Sequence, residues 1–188
     1  STNRGYVSFG AGIAIKGLDS QVADSAEQTI CAVFRRRNDG VNSVIGGTLG
    51  TDTSEPGRAL YVGATDELKY NERMGFGMYT VTALTAASWT FVAYSTSVSV
   101  GNVRVFVGHS TENTEFSRAG TSTPSPAKNI GISNTHYDAT AFAQDSSDFA
   151  EFIIFDKQLS FAEMDEVFTR SIDRLTPRGT APASITAE

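Results

Sequence analysis

The sequence predicts an all-β fold in which two antiparallel sheets pack as a sandwich and one short helix lies near the C-terminus. Short apolar runs recur along the chain and are separated by Gly, Asn, Asp and Ser, which is typical of a sandwich or barrel. Charged residues make up 19% of the chain, below the roughly 25% of average soluble domains. A chain of 188 residues can fold around one core without disulfides or metal.

The apolar runs predict about ten strands. In the run 89–96, Trp89 and Phe91 fall on one face and Val92 and Tyr94 on the other, which is typical of a sandwich strand covered on one side and partly on the other. We expect it to pair with the next run through a hairpin turn in which Gly101-Asn102 supplies the positive-φ positions. The predicted strands lie approximately at 5–9, 12–16, 28–36, 42–48, 58–64, 73–80, 89–96, 102–109, 128–133 and 149–156.

The period changes after the last predicted strand. Ser160 stands as an N-cap and Glu163 completes a capping box, while Leu159 and Met164 form a hydrophobic staple. The apolar positions that follow have helical spacing, so a helix near 160–172 presents one stripe to the sandwich. We therefore assign residues 1–174 to one domain and expect residues 175–188, rich in Pro, Ser, Thr and Ala, to form an extended tail.

Charge and cysteine content exclude several classes of function. The net charge of -6 and the pI near 4.9 argue against sequence-independent binding of nucleic acid or anionic membranes. No run approaches the roughly 20 apolar residues of a membrane span, so we expect no membrane insertion. Cys31 is the single cysteine and is interpreted as a buried apolar residue. The basic run 35–37 is interpreted as a solvated strand end facing Asp39, with an anion contact as the alternative.

The longest segment without periodicity covers residues 110–127 and contains Phe116 as its one aromatic residue. Segments of this length are usually either functional or disordered, and the sequence leaves both interpretations open.

Three segments resemble the concanavalin A-like lectin/glucanase superfamily, and especially its laminin-G-like branch. They are EQTICAVFRRRNDG followed by VNSVIGG, the hairpin WTFVAYSTSVSVGNVRVFVGHS, and NIGISN followed after a loop by DFAEFIIFDKQLSFAEMDEVF. The last segment matches the family's closing phrase through Glu151, Phe155, Asp156, Leu159, Ser160, Glu163 and Met164. The resemblance implies a jelly-roll sandwich of the concanavalin A type.

The catalytic patterns of this superfamily are absent. Its glucanases carry Glu-x-Asp-x-x-Glu on one strand, whereas the nearest acidic run here is Asp145, Asp148 and Glu151, with Glu151 expected at the start of a strand. Its polysaccharide lyases use Gln-x-His, and neither His109 nor His136 stands in that setting. The sequence therefore favours a protein that is not an enzyme, with a glycan-cleaving enzyme as the weaker alternative.

Calcium is the one cofactor that the sequence suggests. Many lectin and laminin-G-like domains hold a hard cation at a loop-rich rim, and carboxylates are its preferred ligands. Asp138, Asp145 and Asp148 lie close together in the sequence with few cations nearby, so they are the candidate metal ligands. The alternative is a solvated acidic loop.

Two functions from different classes remain. The first is what the resemblance implies for a sandwich without the glucanase pattern: a non-catalytic domain for carbohydrate binding or adhesion to a glycan or glycoconjugate. Its candidate contacts are Tyr70, His136 and Tyr137, all in polar loop contexts. The second is a structural component of a virion, such as a capsid or phage tail protein, in which the sandwich contacts protein neighbours. Both predict a location outside the cell or on a virion surface. If a ligand binds, we expect the rim loop 134–148 to carry the functional surface.

Overall fold

The structure is a computed structural model that describes residues 7–8, 18–36, 42–49, 56–73, 78–84, 87–108, 113–117, 128–133 and 147–178. Within these ranges it contains twelve strands, one α-helix and a short 3-10 helix at Thr176–Arg178. The elements are β1 (Val7–Ser8), β2 (Leu18–Ala23), β3 (Glu27–Arg36), β4 (Ser43–Gly47), β5 (Gly57–Val62), β6 (Glu67–Arg73), β7 (Met78–Ala83), β8 (Thr90–Ser97), β9 (Asn102–Val107), β10 (Thr114–Ser117), β11 (Asn129–Ile132), β12 (Ser147–Phe155) and α1 (Phe161–Leu175).

The strands form two six-stranded antiparallel sheets, which confirms the predicted sandwich. The strand order in the first sheet is β1-β12-β3-β8-β9-β10, and in the second it is β2-β11-β4-β5-β6-β7. β3 and β8, in the middle of the first sheet, pair over eight residues from Glu27–Ser97 to Phe34–Thr90. β5 and β6 pair in the second sheet from Gly57–Arg73 to Val62–Leu68.

The main core lies between the sheets. Period-two alternation turns every second side chain inward, so each strand contributes a short row of apolar groups. Tyr70 of β6 and Tyr94 of β8 meet across the interface with ring centroids 5.2 Å apart. Fully buried members of this core include Ile30, Leu60, Val92, Val105 and Ile130.

A second apolar cluster covers the outer face of the first sheet. α1 packs Phe168 against Phe91 and Phe106, with ring centroids 5.2 and 6.2 Å apart respectively. Gly108 makes this close approach possible, because a β-carbon there would lie 2.6 Å from the Phe168 ring. Trp89 belongs to the same cluster and is 8% exposed, so its predicted place in the core is confirmed.

The predicted helix start is confirmed in detail. Ser160 caps α1 and accepts a hydrogen bond from the Glu163 backbone N–H, while the Glu163 carboxylate accepts one from the Ser160 backbone. Leu159 and Met164, the predicted staple, are both buried in the cluster under the helix. No helix in the described part of the chain is long and apolar enough to cross a membrane.

The sequence did not predict three of the strands. β2 carries mostly exposed side chains, so it lacks an apolar face. The inward positions of β6 end in the buried acid Glu72, which interrupts its apolar alternation. β10 lies inside the segment 110–127, whose sequence has no apolar periodicity. Its Phe116 packs on the main core.

Two boundaries differ from the prediction. Gly101 has a positive φ of 71° at the β8–β9 turn, but Asn102 is already the first residue of β9 and is not among the residues with positive φ. α1 extends to Leu175 and a 3-10 helix follows it, so the extended tail expected from residue 175 is wrong for residues 175–178. The predicted strand 12–16 and residues 179–188 lie outside the described residues.

Candidate functional site

One end of the sandwich, here called the loop end, lies where β3 and β5 finish and β12 begins. Arg36, the last residue of β3, is 3% exposed and organises this end. Its Nη1 donates to the Gly63 carbonyl at 3.1 Å, and its Nη2 forms an ion pair with Asp66. Its carbonyl accepts a hydrogen bond from Ala87 N at 3.0 Å. A single residue therefore holds the β5–β6 turn and the segment before β8 against the sheet.

Unusual backbone conformations concentrate at the same end. Asp66, Ala87 and Ser133 have φ values of 69°, 61° and 60°, in the left-handed region that a β-carbon disfavours. Only Gln21 of β2 shares this property among the other described non-glycine residues. Such strain costs about 1–2 kcal/mol per residue and tends to cluster at functional sites. Backbone N–H groups of all three residues donate hydrogen bonds, to the Gly63, Arg36 and Ile45 carbonyls respectively, and these bonds help to hold the backbone of the loop end.

Arg35 lies beside Arg36 but points to the opposite face of the first sheet. Its Nε and Nη2 donate to Asp148 Oδ2 at 3.1 and 2.6 Å, and its guanidinium carbon stands 4.7 Å from the centroid of the Trp89 ring. The Asp148 side chain is fully buried, whereas the Arg35 side chain stays 29% exposed. Ionic hydrogen bonds and the aromatic ring fix this guanidinium where solvent can reach it. The group lies where β12 begins, at the end of the predicted rim loop 134–148.

Exposed polar groups continue around the loop end on the second sheet. Glu67 Oε2 accepts a hydrogen bond from Thr65 Oγ1 at 2.8 Å and pairs with Lys69 Nζ at 2.9 Å. The hydrogen bonds from Lys69 and Thr65 hold the pKa of Glu67 below its usual value. These side chains offer both donors and acceptors to a polar ligand.

The prediction that Tyr70 lies in a polar loop is wrong. Tyr70 lies in β6, is fully buried and faces inward. Its hydroxyl donates to Glu72 Oε2 at 3.0 Å. The flanking charged residues Lys69 and Glu72 suggested a loop, but Lys69 faces outward and Glu72 is itself buried. A side chain enclosed between two sheets cannot touch a surface ligand.

The expected environment of Asp148 also needs correction. The sequence predicted an acid with few cations nearby, whereas Asp148 lies in β12 and forms an ion pair with Arg35. The interpretation of the basic run as a solvated strand end is wrong for Arg35, which pairs with Asp148, and for Arg36, which is buried. Arg37 and Asp39 lie outside the described residues. Strand pairing brings Arg35 and Asp148 together across 113 residues, which no local pattern reveals.

The other candidate residues lie outside the described residues: His136, Tyr137, Asp138 and Asp145. Within the ranges that the structure describes, no group of three or more His, Cys, Asp or Glu side chains could hold a metal ion. Cys31 is buried as predicted, and burial raises the pKa of its thiol far above the ordinary value.

Glu151 lies in the middle of β12 and not at its start, contrary to expectation. Its Oε1 accepts two hydrogen bonds from Arg174, at 2.7 and 3.0 Å, and its Oε2 accepts one of 2.5 Å from the Ser171 hydroxyl. Both donors belong to α1, so this carboxylate attaches the helix to the sheet.

Sequence reasoning missed Arg35 and Arg36 as the organising residues of the loop end. The available signal was their position, because two adjacent arginines at the end of a buried strand must point to opposite faces. Charged side chains at such positions are buried only with partners, and those partners come from distant strands.

Comparison with known proteins gives similarity of fold. No protein-family model matches the sequence, and no curated protein matches it either. The CBM40 of the Ruminococcus gnavus IT-sialidase bound to alpha2,3 sialyllactose has a TM-score of 0.69 at 10% identity, with coverage of 86% of this chain and 95% of that chain. A heptameric SAP-like pentraxin from Limulus polyphemus has a TM-score of 0.56 at 12% identity, with coverage of 78% and 71%.

A third similar structure is the leech intramolecular trans-sialidase complexed with 2,7-anhydro-Neu5Ac, with a TM-score of 0.61 at 9% identity. The match covers 96% of this chain but 29% of that much longer chain. At these identities the likeness shows a jelly-roll sandwich fold, and the laminin-G-like branch stays a prediction.

Proposed function

We propose that this protein is a non-catalytic carbohydrate-binding domain whose ligand contacts lie at the loop end. The carrying observation is the partly exposed guanidinium of Arg35, which Asp148 and the Trp89 ring hold in one orientation. A guanidinium in a fixed orientation offers hydrogen-bond donors to the hydroxyl or carboxylate oxygens of a sugar. Because its partners already restrict its motion, it loses little conformational entropy on binding.

The fold supports the same class of ligand. One similar structure is a carbohydrate-binding module, seen with alpha2,3 and with alpha2,6 sialyllactose. This likeness makes sialyllactose a reasonable first probe without identifying the natural glycan. The proposal places the domain outside the cell or on a virion surface, where glycans are presented.

The test is glycan binding by the intact chain, first on an array and then by titration calorimetry with sialyllactose and with the best array ligand. Replacing Arg35 with Gln should weaken binding by about tenfold or more, since a lost ionic hydrogen bond costs about 1.5–3 kcal/mol. Arg170→Gln is the control, because this arginine is exposed on α1 and pairs there with Glu166 at 3.4 Å. Both variants should give the circular dichroism spectrum of the parent protein.

The outcomes separate the alternatives. No binding to any glycan at millimolar concentration would overturn the proposal. An equal loss in both arginine variants would indicate general charge attraction and no site at the loop end. His136→Ala and Tyr137→Ala test the predicted contacts in the rim loop.

The proposal also includes calcium binding and the absence of catalysis, and each of these needs its own test. Because Arg35 already compensates Asp148, the predicted calcium ligands reduce to Asp138 and Asp145. Titrations with calcium and with a chelator test this pair. Release of reducing ends from any bound glycan would contradict the non-catalytic assignment.

A further inference from the structure

The opposite end of the sandwich, here called the hairpin end, contains a buried polar layer between the sheets. Gln28 and Thr96 face each other in the first sheet, and Arg58 and Glu72 face each other in the second. These positions point inward, next to the apolar layer in which Tyr70 meets Tyr94. All four residues are at most 1% exposed.

Most polar atoms of this layer have partners in the protein. Arg58 Nη2 donates to the Ser25 carbonyl at 2.8 Å and pairs with Asp24 Oδ1 at 3.0 Å. Asp24 Oδ2 accepts a hydrogen bond from Thr48 at 3.1 Å. Burial alone would lower the pKa of Arg58, but the attraction of Asp24 and further groups outweighs it and raises that pKa. The guanidinium is therefore charged inside the protein.

The tyrosine hydroxyls bind the polar side chains of this layer, each within its own sheet. The Tyr70 hydroxyl donates to Glu72 Oε2 at 3.0 Å, and the Tyr94 hydroxyl donates to Gln28 Oε1 at 3.2 Å. The second bond uses the oxygen of the Gln28 amide, and its nitrogen is the atom without a partner in the described part of the chain.

Three buried atoms of this layer have no hydrogen-bond partner in the described part of the chain: Gln28 Nε2, Arg58 Nη1 and Thr96 Oγ1. Buried polar atoms in native proteins almost always have a partner, which is either protein or ordered water. Gln28 and Thr96 belong to the first sheet and Arg58 to the second, and the strand register places all three next to the Tyr70–Tyr94 contact. One small group between the sheets is the simplest common partner for these atoms.

We propose that this layer binds an internal water molecule that joins the two sheets at the hairpin end. Gln28 Nε2 and Arg58 Nη1 are donors, and a water oxygen accepts two hydrogen bonds. The same water can donate to Thr96 Oγ1 and to a second acceptor. An anion would meet the two buried carboxylates of Asp24 and Glu72 against one guanidinium, and a cation would meet two N–H donors. Water therefore matches both the charge and the donor pattern.

Replacement of Thr96 by Val tests the proposal in solution. Val has nearly the same shape but lacks the hydroxyl, so it removes one partner of the water. If the water is bound, the urea midpoint of Thr96→Val should fall; if Oγ1 has no partner, removing it should leave the midpoint unchanged or raise it. Thr90→Val is the matched control, because Thr90 lies on the same strand and its hydroxyl has only a weak 3.5 Å contact with the Ser88 carbonyl.

Two further measurements keep the proposal open to refutation if Thr96→Val folds poorly. Thr96→Ser retains the hydroxyl and should lose less stability than Thr96→Val. A high-resolution crystal structure should show a water oxygen about 2.7–3.2 Å from the three atoms. A dry layer, or an anomalous bromide peak at that position after a halide soak, would overturn the proposal.

Discussion

Adjacent arginines on β3 have different tasks because neighbouring residues of a strand face opposite sides. Arg36 turns inward, is buried, and binds Asp66 and the Gly63 carbonyl. Arg35 turns outward, contacts the Trp89 ring and neutralises Asp148. Within the basic run, Arg36 therefore stabilises the fold, and Arg35 presents a guanidinium that solvent can reach.

The ion pair of Arg35 with Asp148 predicts a stability effect. Asp148→Asn should lower the free energy of unfolding by about 1–3 kcal/mol, because the guanidinium loses its charged acceptor next to a buried amide. Urea denaturation of both proteins measures the difference. Asp173→Asn, at an exposed position of α1, is the control and should change little.

The same pair of proteins tests calcium at this position. Because Arg35 occupies the carboxylate, the loss caused by Asp148→Asn should be equal in calcium and in chelator. A loss that appears only with calcium present would show that Asp148 is a metal ligand after all.

At the scale of elements, the sequence predicted those features that depend on residues close together in the chain. The capping box of α1 and the two faces of the run 89–96 follow from residues a few positions apart. β6 was missed because its inward row ends in Glu72, whose burial depends on the distant Arg58 layer. The loop-end contacts of Arg35 and Arg36 were missed for the same reason, since their partners lie on other strands.

The N-terminal capping box predicts an acid-sensitive helix. The hydrogen bonds from Lys157 and Ser160 lower the pKa of Glu163 from 4.5 to about 2. The stabilisation is therefore complete above pH 4.5 and is lost as the pH falls toward 2. Glu163→Gln, which cannot ionise, should show a smaller drop in thermal midpoint than the parent protein over this range. Identical acid profiles of the two proteins would contradict the assigned cap.

At the scale of the whole molecule, the first sheet is packed on both faces. Its inner face forms the main core with the second sheet, and its outer face forms the cluster under α1. β3 and β8 contribute to both clusters, since Ile30 and Val92 face inward while Cys31 and Phe91 face the helix. The helix and the sandwich therefore share the same two strands.

This shared packing predicts one cooperative unfolding transition. Trp89 is the single tryptophan and lies in the cluster under α1, so its fluorescence reports on that cluster. The fluorescence change and the far-ultraviolet circular dichroism change should coincide in urea. A fluorescence transition at lower urea would mean that the helix layer separates before the sandwich unfolds. Met164→Ala, which leaves a cavity in that cluster, should move both transitions together.

The role of Arg36 has a consequence for how such a domain can change. Of its contacts to neighbouring turns, two run through backbone atoms, the Gly63 carbonyl and the Ala87 N–H. Main-chain groups are present whatever side chain a position carries, except for the N–H that proline lacks. Side chains at the surface of this end can therefore be exchanged over generations, or in a selection library, while the attachment of the turns is kept. The surface side chains of the loop end and the contacts that hold its turns can in this way evolve independently.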